Sequence, residues 1–269
     1  MSEEKEMSFL EHLEELRWHV VRALGSIAVL AIVAFMFIQQ IYDKVIFAPS
    51  RLDFPTFKWL CKLSDMTGWD TLCIKQIPMS IISRSMMGQF TMALVSAFVI
   101  ALIVGFPYVA WEVWRFIRPG LHANEKKYSR GAVAAISFMF LLGVLFGYYV
   151  MCPMAVYFFS NFQLSDTINN QFDVSSYVST IVTLVFGNGI LFQLPIVVYF
   201  LAQVGIVTPA FLKQYRKHAA VIILVVGAIV TPPDPLSMVM ISIPLYFLYE
   251  FSIFIARYVE RKKLKQEEL

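Results

Sequence analysis

Three glutamates sit where they could bind a cation. Glu14 and Glu15 lie within three residues of Arg17, and Glu125 is followed directly by Lys126 and Lys127. A carboxylate held near a membrane surface binds a guanidinium through paired, charge-assisted hydrogen bonds. A face bearing these groups is fit to receive an arginine-bearing peptide. The same residues admit a plainer reading, in which each Glu pairs with Arg17, Lys126 or Lys127 on a solvated face. Residue type and spacing leave both readings open.

Covalent and acid–base catalysis have no comparable signature. HExxH, GxSxG, a Walker loop and CxxC do not occur. His12, His19, His122 and His218 lack metal-ligand spacing, and interfacial anchoring is the expected role of each. The chain is therefore read as a non-enzyme with no cofactor and no metal. No ionisable residue falls near the middle of an apolar run, where one would mark a transport pathway. Glu112, between Trp111 and Trp114, is expected at the membrane interface, and Glu250 near the cytoplasmic end of the last apolar run. Asp234 falls in a tight external turn, Thr231-Pro232-Pro233-Asp234-Pro235. The most interior polar side chain is Gln193, ahead of Pro195, with two open readings: an interhelical hydrogen bond or part of a polar pocket.

The elements that must position these groups are membrane helices. Of 269 residues, 58% are hydrophobic and only 15% charged, against about 25% charged in a soluble domain. Mean hydropathy is +0.67. This composition excludes a disordered chain and an ordinary soluble enzyme, and a net charge of +3 is too small to imply a nucleic-acid partner. Apolar runs predict six spans: Ala23 to Tyr42, Ser85 to Trp111, one within Gly131 to Ser165, one within Val174 to Leu212 before a turn near Gly205 to Pro209, His218 to Thr231, and Pro235 to Tyr249 extended to Ala256. The last two are short, which is compatible with a locally thinned bilayer. The expected fold is an all-α polytopic bundle, a single membrane domain over residues 1–269.

Lys and Arg in the loops orient it. Three precede the first span (through Arg22), five lie in Arg115 to Arg130, three in Lys213 to Lys217 and five after Ala256. Both termini are therefore expected in the cytoplasm, with residues 257–269 a cytoplasmic tail. The first external loop, residues 43–84, runs against this pattern with six basic residues. It also holds Cys61 and Cys73, which an oxidising compartment would allow to pair or which stay as two free thiols. Cys152, at the outer end of the third span, is expected to be a packing residue. Residues 1–19 read as an amphipathic cytoplasmic helix: Ser8 and Glu11 have capping-box spacing, and Phe9, Leu13 and Leu16 form an apolar stripe. No cleavable signal peptide is visible, since this segment is Glu-rich and the apolar run after it is too long.

Several motifs now fall into order along nearly the whole chain. His12-Leu13-Glu14-Glu15-Leu16-Arg17 resembles the N-terminal HLxELR signature of the TatC family, the multispanning subunit of the twin-arginine protein translocase. Trp114 to Leu121 followed by Glu125-Lys126-Lys127 is similar to that family's first cytoplasmic loop, WxFxxPGLxxxEK/R. Phe192-Gln193-Leu194-Pro195 resembles its F-E/Q-x-P stretch, Thr231 to Asp234 its TPPD turn, and Pro49 a proline just after span one.

The resemblance implies a glove-like, concave bundle of six helices with short fifth and sixth members. It implies a receptor for the twin-arginine signal peptides of folded cargo, working with small single-span TatA/TatB-type subunits, self-associating in the lipid bilayer of a prokaryotic inner membrane and driven by the proton-motive force. Glu15 and Glu125 correspond to the two carboxylates that engage the arginines. Leu16, Arg17, Phe116 and Pro119 shape that site. Gln193 corresponds to a polar position inside the bundle where some members carry Glu; Gln cannot ionise, so a hydrogen-bonding role is implied here. The first external loop is longer than in many relatives, and His122 stands where Tyr is common. A secondary transporter would instead require a midplane ion site or inverted repeats, and the chain shows neither. A membrane-assembly scaffold without a transport role would have no need of Glu15 and Glu125.

Overall fold

The computed structural model describes residues 9–69, 73–117, 131–165, 170–230 and 235–267. Five helical runs are long and apolar enough to cross a membrane: Glu14–Met36, Gly88–Ile117, Ala132–Asn161, Val174–Val204 and Met238–Lys263. Contacts group the chain into two compact units, residues 1–38 with 94–138 and residues 39–93 with 139–269.

The first unit is built on α1 (Phe9–Met36) and the larger part of α4 (Gly88–Ile117). The expected amphipathic segment and first span form one unbroken helix, because nothing between Leu16 and Ala23 stops propagation. Ser8, the expected cap, lies outside the described residues. On α4, Ala97, Ala101 and Gly105 recur at intervals of four and are buried. A methyl group on Gly105 would meet Leu30 Cδ1 at 3.1 Å and Ile27 Cγ1 at 3.9 Å. Small residues let helices approach closely where lipid offers no hydrophobic drive between them. The pairing runs antiparallel: Gly105 lies opposite Ile27 and Leu30, while Glu112 lies opposite His19 and Arg22.

In the second unit the chain passes through α2 (Ile38–Ile41), a π turn (Tyr42–Ile46) and a 3-10 turn (Ala48–Ser50) that buries Pro49. The connection to α4 then forms α3 (Pro55–Thr67), ended by Gly68 at φ 72° in the left-handed region. Strand β1 (Ser80–Ile82) pairs in parallel with β2 (Gln171–Asp173). This short ribbon departs from the all-α expectation. It joins the segment before α4 to the segment before residue 174, and its shared end is held by Asp173, whose carboxylate accepts the backbone N–H of Arg84 at 2.9 Å and of Ser175 at 2.8 Å. These hydrogen bonds hold the Asp173 carboxyl below its ordinary pKa.

The third run consists of α5 (Ala132–Phe146), a π turn (Gly147–Met151) and α6 (Cys152–Asn161). Gly143 and Gly147 face α7 (Val174–Leu191): a Cβ on Gly147 would come 2.7 Å from the Leu184 carbonyl oxygen. Cys152 is fully buried there. The fourth run breaks at Phe192-Gln193 and resumes as α8 (Leu194–Val204), since Pro195 has no N–H to continue the ladder. Gly205, φ 87°, ends it, and α9 (Pro209–Gln214) leads to α10 (Arg216–Val230).

The last helix, α11 (Pro235–Glu267), corrects an expectation. The fifth helix is short as read, 15 residues, about 22 Å. The sixth is not short: it runs for 33 residues and takes in the expected tail. Glu250 does not interrupt it, because Arg216 pairs with it at 2.6 Å. The segment beyond Ala256 is rich in Arg, Lys, Glu and Leu, all good helix formers. Lys263 anchors it by donating to the carbonyls of Ala202 and Gln203 at the end of α8. Any thinning argument therefore rests on α10 alone.

Candidate functional site

On α1, Glu15, His19 and Arg22 fall at i, i+4 and i+7 and share one stripe. On α4, Tyr108, Glu112 and Phe116 do the same at intervals of four. The antiparallel pairing of the two helices sets these stripes against each other at the end of the first unit that leads into residues 118–130.

Glu112 is the centre of the arrangement. Only 1% of it is exposed, and three donors meet it. His19 Nδ1 lies 2.5 Å from Oε2, Tyr108 Oη 2.9 Å from Oε1, and Arg22 Nε 3.5 Å from Oε1. His19 itself is 4% exposed. At its distance from a carboxylate, Nδ1 carries the proton and donates. Arg22 Nη2, 3.2 Å from the same nitrogen, is then a second donor and makes no hydrogen bond with it; the guanidinium is held by Glu112 instead. A buried carboxylate persists only when its lone pairs are filled in this way. Both side chains are buried between α1 and α4, a pairing that neither residue type nor position along the chain discloses. The i, i+3 and i, i+4 spacings hold the only signal: His19 with Arg22, and Tyr108 with Glu112. That the two pairs belong together, 93 positions apart, is a tertiary fact.

Glu15 lies one turn before His19 on α1, and Phe116 one turn beyond Glu112 on α4, where its ring meets His19 edge-on at 6.2 Å. Glu15 is half-buried, and its Oε2 is shut off from solvent and accepts no hydrogen bond among the described residues. Leaving a buried acceptor unmet costs about 1–3 kcal/mol, more for a charged one. Glu14 behaves differently: it is exposed and pairs with Arg17 at 3.5 Å, as the plainer reading expects. Arg17 also lies over the Trp18 ring, 5.5 Å from its centroid, and so belongs to the solvated side of α1. Leu16 is half-buried. The structure thus brings Glu15 and Phe116 to one end of the polar ladder and places Arg17 off it. Glu125, Pro119 and Asp234 lie outside the described residues.

The remaining candidates belong to the second unit. Gln193 is half-buried at the break between α7 and α8, and its backbone carbonyl accepts from Ile196 and Val197. Pro49 is buried. Cys61 and Cys73 are joined by a disulfide. A cavity of about 490 Å³ is lined by Val156, Phe159, Ser176, Thr180 and Ile229 among others. Among the described residues, no group of three His, Cys, Asp or Glu side chains is placed to hold a metal ion.

Comparison with known proteins gives these features a context. Residues 11–244 match the profile of the Sec-independent protein translocase protein TatC. The TatC protein of a Blattabacterium of Periplaneta americana is 38% identical over 264 residues, covering 97% of this chain and 99% of that protein. The TatC protein of Helicobacter pylori strain J99 is 36% identical over 248 residues, 92% of this chain and 88% of its own. Among solved structures, a twin-arginine translocase receptor TatC crystallised in the detergent DDM superposes with a TM-score of 0.73 at 28% identity, over 91% of this chain and 99% of that one. A second crystal structure of that receptor gives 0.69 at 27% identity, over 93% of this chain and 100% of that one.

Proposed function

The chain belongs to the TatC family of Sec-independent protein translocase proteins, and on that premise we propose that it is the signal-peptide receptor and core subunit of a twin-arginine translocase. In this reading it spans a prokaryotic inner membrane six times, α10 supplying the short fifth crossing, with both termini in the cytoplasm. It receives the twin-arginine signal peptides of folded cargo and organises small single-span TatA/TatB-type subunits, and further copies of itself, for export driven by the proton-motive force. Residues 43–84 then lie outside and the end of α11 inside. The mechanism is recognition followed by assembly, and no bond to the cargo is made or broken.

One observation carries the proposal: the unmet, solvent-shielded Oε2 of Glu15 at the open end of the ladder. A guanidinium supplies two parallel donors to such a carboxylate; an ammonium supplies a point charge without that geometry. The second arginine goes to Glu125, in the loop that begins directly after Ile117. Phe116 and Pro119 flank the arginine side chains, Leu16 packs beneath them, and Arg17 keeps Glu14 occupied so that Glu15 is left for the ligand. The buried His19–Glu112–Arg22 group acts as the foundation. It locks the rotation of α1 against α4 and so fixes where Glu15 points. Gln193 offers a neutral hydrogen-bonding group to a partner helix or an inserted signal peptide. A single six-helix bundle is too narrow to pass a folded protein, so in this reading passage depends on the recruited subunits.

Site-specific crosslinking of a twin-arginine signal peptide to the membrane-embedded protein tests this. Glu15→Ala and Glu125→Ala are each expected to lower the crosslink about tenfold or more, as loss of a charge-assisted pair implies. A Lys-Lys peptide is expected to bind as poorly to the wild type. Equal capture of both peptides by the wild-type protein would overturn the receptor reading.

A further inference from the structure

The external helix α3 has two apolar faces, and packing accounts for only one. Phe57 and Ser64 are buried, with Leu60 and Cys61 half-buried beside them. This face closes on the third helical run: Phe54, just before α3, stacks on Tyr149 and meets Tyr148 edge-on, and the Thr56 hydroxyl donates to the Tyr149 carbonyl. The opposite face carries Trp59 and Met66 at i and i+7, 64% and 78% exposed, with Lys62 between them and Lys58 on the flank. Trp69, just past the Gly68 cap, is 68% exposed. A tryptophan and a methionine exposed on one side of a short helix, with a second exposed tryptophan just past its cap, are not what a water-facing segment presents.

The depth of α3 says what covers that face. Tyr148 and Tyr149 lie 16 and 17 residues into the run that starts at Ala132, about 25 Å along it, against a hydrocarbon layer of about 30 Å. At the same level the hydroxyls of Tyr148 and Tyr177 donate to the carbonyls of Val45 and Ile46, beside the exposed charges of Asp43 and Lys44. This is the layer where hydrocarbon gives way to headgroups, the preferred place of Trp and Tyr. The stripe is also held rigid, by the Cys61–Cys73 disulfide and by the Ser64 hydroxyl on the Trp69 carbonyl at 2.8 Å. Finally, residues 43–84 hold six Lys and Arg against four Asp, an excess that runs against the loop pattern of the rest of the chain and suits a negatively charged surface.

We infer that α3 is an interfacial helix. Its Trp59–Met66 face lies in the headgroup layer of the leaflet on the side of the α1–α4 connection, and Lys58 and Lys62 hold anionic glycerophospholipids there. The inference is independent of the signal-peptide reading. It makes this loop a lateral anchor that ties the second unit to its own leaflet.

The test uses the full chain in nanodiscs and its intrinsic fluorescence. The protein has five Trp, so the difference between wild type and the double variant Trp59→Phe/Trp69→Phe isolates the two on this face. Lipids brominated near the headgroup are expected to quench that difference signal more than lipids brominated near the chain ends, and aqueous iodide is expected to quench it weakly. Strong quenching by iodide without quenching by lipid would overturn the inference. Protection from both, as when a second copy or another protein covers the face, would overturn it equally. For the headgroup charge, shallow-brominated phosphatidylglycerol is expected to quench more than the matching phosphatidylcholine at equal mole fraction, with the ratio falling to one in Lys58→Gln/Lys62→Gln. A wild-type ratio of one would remove the lysines from the proposal.

Discussion

The polar ladder of the first unit and the tyrosine layer of the second solve one problem, polar groups inside a membrane protein, with different chemistry. Between α1 and α4 a buried carboxylate is held by an imidazole, a phenol and a guanidinium. In the second unit the buried tyrosine contacts among the described residues are neutral: Tyr177 donates to the Ile46 carbonyl at 2.9 Å and Tyr249 to that of Leu212 at 2.7 Å. A neutral hydrogen bond contributes modestly and fails gently. A buried charge with fixed partners contributes little net stability but fails severely when one partner is removed, because the charge that remains has nowhere to go. The first arrangement therefore gives strict control of orientation, which suits the helix that carries Glu15. The second suits packing.

This contrast can be broken or sharpened by measurement. The largest effect is expected from His19→Ala, which leaves Oε2 of the buried Glu112 without its donor: about 3–5 kcal/mol of stability lost, read from unfolding of the purified protein in detergent. The double variant His19→Leu/Glu112→Leu is expected to recover most of that loss while leaving twin-arginine peptide binding impaired, which separates the charge from its positioning role. Next is Cys61→Ser/Cys73→Ser, where loss of the cross-link is expected to cost about 2–4 kcal/mol, in the same assay, under non-reducing conditions. Tyr177→Phe removes one neutral bond and is expected to cost about 1 kcal/mol; a loss as large as that of His19→Ala would erase the distinction between the two regions. Smaller still is Glu250→Gln, at the partly exposed pair with Arg216, with less than about 1 kcal/mol expected.

Acidification offers a further, finer separation at Asp173. Its folded pKa is depressed by the backbone N–H groups of Arg84 and Ser175, so its contribution is present above the unfolded carboxyl pKa, about 3.9, and is lost as pH falls through the lower folded value. Asp173→Asn, which keeps one N-cap acceptor but loses the charge and the second acceptor oxygen, is expected to lower stability near neutral pH slightly and to flatten the acid-side loss.

Much of this was legible in advance, and the reasons are particular. The apolar runs were plain because a bilayer demands about 20 apolar residues per crossing, and the turn at Gly205 because that position takes a left-handed backbone. The end of the last helix was misread. Glu250 looked like the approach to its end, yet its charge is answered by Arg216, 34 positions away. The Glu14–Arg17 pair is one of the two readings that spacing leaves open, since both lie on one helix at i and i+3. The mutual burial of His19 and Glu112 is not legible in the sequence, because each, taken alone, is a polar residue beside tryptophan near the end of a span.

By itself the amino-acid sequence determined the membrane class, the approximate crossings, the family and which carboxylates merit attention, because these depend on composition, local periodicity and short motifs. Only the tertiary structure decided which polar groups are buried, that His19 and Glu112 share a proton-bearing contact, that Glu15 Oε2 is left without a partner among the described residues, and that α3 turns its tryptophans outward. Those facts depend on which faces of separate helices meet, and a helix by itself does not encode its neighbour.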